Sequence, residues 1–288
     1  MKVHNTVPYF LENFTPTEHF IRQYHEKFSL HFKEYFLYHC KNVDEKIKKA
    51  IQMYSETLSD IKESNDKVEG LIKQIQLTYE QKYDVEFAKD VHIIVGAFGS
   101  NAFTHRQIIP EVTFCLEKLS SEDEHLKVII AHEFGHALHN ILSDQEAMNW
   151  RSLNWGSPFT WLLQEGCATY FSKQVTTADE SVYFTYDGSG EEWLEFAKDH
   201  QARIISTFIE DINEQSPTEV FREWFSINGG THFRYTRLAY YIGYAVLERL
   251  IEKYGERKAV TLWKDTSFSN EINQVLLELE SNGQDIIV

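Results

Sequence analysis

The chain has 288 residues, 42% hydrophobic and 25% charged, which fits a folded globular protein and excludes a disordered one. Its formal net charge of −16 repels phosphate backbones and anionic lipid, so neither nucleic acid nor membrane is an expected partner. Three separated cysteines, Cys40, Cys115 and Cys167, make neither a disulfide framework nor a cysteine zinc cluster.

No apolar run is long enough to cross a bilayer. The opening stretch MKVHNTVPYFLENF carries His4, Asn5, Pro8 and Glu12 where a secretory leader needs unbroken apolar residues, so a cytoplasmic location is expected. Thr15-Pro16-Thr17-Glu18 has the form of a capping box with Thr15 as N-cap. The helix it opens carries Phe20, Tyr24, Phe28, Phe32, Tyr35 and Phe36, a stripe whose spacing is that of core packing. Two Lys- and Glu-rich helices follow, near 43–62 and 66–82, the second weakened by Gly70. These elements make an N-terminal helical region, 1–85.

The character then changes. VHIIVGAF (91–98) and EVTFCLE (111–117) read as strands. Ser121-Glu122-Asp123-Glu124 opens a helix to about Leu142, and Ser157-Pro158 opens another to about 174. Further helices are expected at 190–213, at 217–226 after the capping sequence Ser216-Pro217-Thr218-Glu219, at 235–254, at 256–265 and at 269–281. The stretches 176–190 and 226–234 read as loops. The fold class is therefore α+β and predominantly helical. A second domain, 86–288, divides into a sheet with metal-binding helices (86–175) and a C-terminal helical subdomain (176–288).

The helix from Ser121 contains HEFGH at 132–136. His132 and His136 stand one turn apart on one face, a spacing that lets two imidazoles bind one tetrahedral ion. Glu133, rotated roughly 100° from His132, sits beside the ion, where it can take a proton from bound water. With 13 His, chance alone yields such a motif in about 6% of chains of this composition, so context has to carry the assignment. The segment VIIAHEFGHALHNIL has strong helical periodicity, and Ala131, Gly135 and Ala137 permit close packing.

A third ligand is required. His139 is about 10.5 Å along the axis from His132, too far for all three rings to share one ion, and is assigned a structural role. Leu142 occupies the place of the third His in HExxHxxGxxH. Glu165 in WLLQEGCATYF is the best acidic candidate. Small neighbours Gly166 and Ala168 allow close approach to the HExxH helix, and the flanking residues are apolar. Asp144 and Glu146 rank lower because they follow the His helix too closely.

HExxH followed by E-G-x-A-x-Y on the next helix resembles the gluzincin metallopeptidases. The resemblance implies a zincin-like catalytic domain with one zinc ion on His132, His136 and Glu165, and Glu133 as base. The interval from His136 to Glu165 is longer than in thermolysin-like enzymes, and the N-E-x-x-S-D and G-x-M-E-N patterns are missing. A closer resemblance is to a family of predicted zinc-dependent proteases sharing E-G-x-A-x-Y and a later Tyr-x-x-Gly, here Tyr240-Tyr241-Ile242-Gly243. It covers roughly 90–255 and implies Tyr240 as oxyanion donor, with Tyr241, His232 and Arg237 as alternatives. Thr169 is a candidate for orienting a ligand imidazole, and 111–116 a candidate edge strand for substrate. The expected substrate is a peptide or protein; the sequence does not fix the oligomeric state. Two other readings stand beside this one. A catalytically silent zinc- or peptide-binding protein has no physical need for Glu133, and the same metal–water chemistry can also hydrolyse a non-peptide bond.

Overall fold

The computed structural model describes residues 1–284, which fall into two compact units. One comprises Met1–Ala137 with Val175–Thr177; the other comprises Leu138–Gln174 and Ala178 onward. Among the described residues the protein is mostly helical with one small sheet, an α+β arrangement.

The first unit opens with β1 (Val3–Asn5), α1 (Val7–Asn13), α2 (Glu18–Lys27) and α3 (Ser29–Glu34), which runs into a π turn at Tyr35–His39. Pro8 lies in the first turn of α1, where its missing N–H costs nothing. The cap of α2 is Thr17, not Thr15: Phe20 N–H donates to Thr17 Oγ1 at 3.2 Å. Pro16 restricts Thr15, while Thr17 has the extended backbone that an N-cap needs. The two helices expected between 43 and 82 are one 41-residue helix, α4 (Val43–Tyr83). Its buried stripe, including Ile61, Ser64, Val68 and Ile72, runs unbroken through the charged middle. Gly70 has open space around it and so costs only its propensity.

The sheet has four strands in the order β1-β2-β4-β3, adding β2 (Val91–Ile94), β3 (Ala102–Thr104) and β4 (Val112–Cys115). β1, β2 and β4 are parallel, and β3 pairs antiparallel with β4. Every residue of β2 and β4 is buried, as in a sheet covered on both faces. β4 is therefore an interior strand, and the outer strands are β1 and β3. This corrects the reading of 111–116 as an edge. A turn at Leu116–Lys118 leads to α5 (Asp123–Gln145).

The strand expected over 91–98 stops at Ile94. Beyond it the backbone is buried yet irregular, so its polar groups need side-chain partners. Tyr24 Oη accepts from Val95 N–H at 3.1 Å, and Tyr35 Oη accepts from the N–H groups of Ala97 and Gly99 at 2.7 and 2.9 Å. Tyr54 Oη donates to Gly96 carbonyl. Glu117 accepts from Gly96 and Phe98 N–H at 2.7 and 3.1 Å. A Cβ on Gly96 would stand 2.6 Å from Tyr35 Oη, so only glycine fits inside this cage of hydroxyls.

The second unit is helical: α6 (Pro158–Val175), α7 (Val182–Thr185), α8 (Glu191–Asp199), α9 (Gln201–Glu214), α10 (Pro217–Trp224), α11 (Leu238–Tyr254), α12 (Glu256–Val260) and α13 (Phe268–Gln284). The helix expected over 190–213 breaks at His200, which ends α8 and starts α9. The capping box at α10 forms in both directions, Ser216 Oγ accepting from Glu219 N–H and Glu219 Oε2 accepting from Ser216 N–H at 3.0 Å. No helix among the described residues is long and apolar enough to cross a membrane.

Candidate metal centre

Helix α5 carries the HExxH sequence. Asp123 and Glu124 in its first turn complement the helix dipole, and Lys67 Nζ donates to Asp123 Oδ1 at 2.8 Å and to Ser121 carbonyl at 2.7 Å. Farther along, Tyr79 Oη donates to Ala131 carbonyl at 2.8 Å, and Phe87 meets Phe134 edge-on at 4.9 Å. These contacts hold the helix on either side of the first histidine. His132 and Glu133 are buried, at 2% and 6% exposure. The rings of His132 and His136 have centroids 4.8 Å apart with their planes at 90°.

His132 and His136 stand on α5 within the first unit, and Glu165 stands on α6 within the second. Two imidazoles and a carboxylate are a donor set that suits zinc and leave a fourth position for solvent or substrate. The rival acids are engaged elsewhere. Asp144 Oδ1 accepts from Trp150 Nε1 at 2.9 Å, and Glu146 pairs with Arg257 and Lys264, each at 2.9 Å. His139 is fully buried, with Nε2 2.6 Å from Val260 carbonyl and its ring stacked on Trp263 at 3.9 Å.

Gly166, next to Glu165, lies against α11. A Cβ there would stand 2.3 Å from Gly243 carbonyl, and one on Gly243 would stand 2.4 Å from Leu162 carbonyl. The small residue thus admits α11, and the E-G-x-A-x-Y and Tyr-x-x-Gly elements meet at their glycines. Tyr240, half-buried, lies one turn before Gly243 on α11, with the Arg237 guanidinium 5.6 Å from its ring centroid. Of the alternatives, Tyr241 Oη donates to Gln201 Oε1 at 3.0 Å, and His232 pairs with Asp211 at 2.9 Å. Arg237 also lies 5.5 Å from the Tyr186 ring. Thr169 is fully buried and its hydroxyl makes no hydrogen bond among the described residues, so it orients neither imidazole there.

A second set of donors escaped the sequence reading. One ligand atom from each of His92, His105 and Glu111 lies within 4.8 Å of the others. Nothing in their spacing marks a metal motif, because strand register, not helical periodicity, brings them together.

Neither a curated protein nor a solved structure matches the chain. A family model described as "Putative zinc dependent peptidase (DUF5700)" matches residues 11–268. That span includes every donor of both groups, and the chain belongs to this family.

Proposed function

We propose that the chain is a zinc-dependent peptidase of the gluzincin type on a zincin-like scaffold, with one catalytic ion held by His132, His136 and Glu165. What supports the reading is the pair of imidazoles one turn apart on α5, their ring centroids 4.8 Å apart, in a family described as zinc dependent. Zinc bound there polarises a peptide carbonyl and lowers the pKa of the attacking water.

The remaining steps belong to the chain's own side chains. Glu133, beside the ligand face and buried, takes the proton from the attacking water and delivers it to the leaving amine. Tyr240 donates a hydrogen bond to the oxyanion of the tetrahedral intermediate. The outer strand β3, antiparallel to β4, offers a backbone ladder to an extended peptide. Glu133→Gln keeps the size of the side chain and removes its basicity. It is expected to bind zinc like the parent chain and to lose on the order of 10²–10⁴-fold in hydrolysis of a peptide library. Undiminished hydrolysis by that variant would remove Glu133 from the mechanism.

A further inference from the structure

The sheet carries a cluster of imidazoles and carboxylates that uses none of the HExxH donors. β2 and β4 are neighbours in a register that sets His92 opposite Thr113. Glu111, two residues before Thr113, faces the same side of the sheet. The β3–β4 ladder extends by one more pair, with His105 N–H donating to Glu111 carbonyl at 2.8 Å, so His105 stands across from Glu111. Three neighbouring segments thus deliver two histidines and a glutamate to one spot.

The contacts there are specific. His92 Nε2 is 2.9 Å from Glu111 Oε2, and His105 Nδ1 is 3.5 Å from the same oxygen. A tetrahedral ion with bonds of about 2.0 Å has ligand–ligand edges of about 3.3 Å, and these two distances straddle that value. The far nitrogens are held as well: His92 Nδ1 lies 2.8 Å from His31 Nδ1, and His105 Nε2 lies 2.8 Å from Thr113 Oγ1. A metal-bound imidazole usually gives its other N–H to a second polar group, which fixes tautomer and ring angle; both imidazoles have such a partner in place. The rings stack at 5.3 Å, and His92 is only 7% exposed. The Glu111 side chain keeps 30% of its surface, so the site opens to solvent on its side.

We propose that His92, His105 and Glu111 form a second divalent-metal site, for zinc or a similar first-row ion, with His31 and Thr113 orienting the two imidazoles. The ion ties β2, β4 and the segment after β3 together and closes the loop between His105 and Glu111. Its role is structural, and it does not depend on the peptidase reading.

The test is zinc titration of the full-length chain against a chromophoric chelator, with circular dichroism to monitor folding. The parent chain should bind two ions. His132→Ala with His136→Ala should still bind one, and adding Glu111→Gln should abolish that ion. Glu111→Gln alone, which keeps an acceptor for His92, should fall from two ions to one while hydrolysis persists. The proposal is overturned if Glu111→Gln leaves zinc content unchanged, or if the folded His132→Ala/His136→Ala chain binds none. Loss of no ion in that double variant counts instead against the catalytic centre, so the two readings fail separately.

Discussion

Glu117 is 4% exposed and has no cation bonded to it among the described residues; its carboxylate faces the backbone N–H groups of Gly96 and Phe98. Burial raises its pKa from the usual 4.5 to about 7, and the backbone hydrogen bonds only partly oppose the rise. The folded value lies above the unfolded one. Stability from this group is therefore complete below the unfolded pKa and is lost as pH rises through about 7. Glu117→Gln should flatten that part of the stability profile in denaturant melts taken at a series of pH values. A profile as steep as the parent's would show that Glu117 does not carry the charge change. Nothing local in the sequence predicts this residue, which reads as the end of a strand. Its role arises only because the chain after β2 turns inward and needs acceptors for buried amides.

At the scale of elements, what the sequence reveals tracks how local the signal is. Ser216-Pro217-Thr218-Glu219 predicts the start of α10 because a capping box is complete within one turn. β1 and β3 carry no such signal. Each has three residues, and each exists only by pairing with a strand that the fold brings alongside. The position of α5 follows from its own periodicity, whereas the partner of Gly166 could not be read from spacing, since any helix could have approached it. That crossing gives a direct prediction. Gly243→Ala places a methyl group against the Leu162 carbonyl and is expected to destabilise the chain by about 1–3 kcal/mol, measured by denaturant unfolding. A variant as stable as the parent would mean that α6 and α11 are not in backbone contact.

At the scale of the whole molecule, the two donor groups differ in how they can be found. His132 and His136 are legible because a helix repeats every 3.6 residues, and Glu165 stands out as an acid among apolar neighbours. His92, His105 and Glu111 come from separate segments joined by strand register, which no spacing rule encodes. The change of composition near residue 85 corresponds to the end of α4 at Tyr83, and α4 and the sheet share one compact unit. The proposed activity requires His132, His136 and Glu165 to share one zinc ion. The most direct measurement is an anomalous difference map at the zinc edge from crystals of the full chain grown with zinc. A zinc ion held as proposed gives a peak about 2.0–2.2 Å from a ring nitrogen of His132, a ring nitrogen of His136 and a carboxylate oxygen of Glu165. A peak bound by the two histidines but not by Glu165, or no peak at that group, would contradict this assignment.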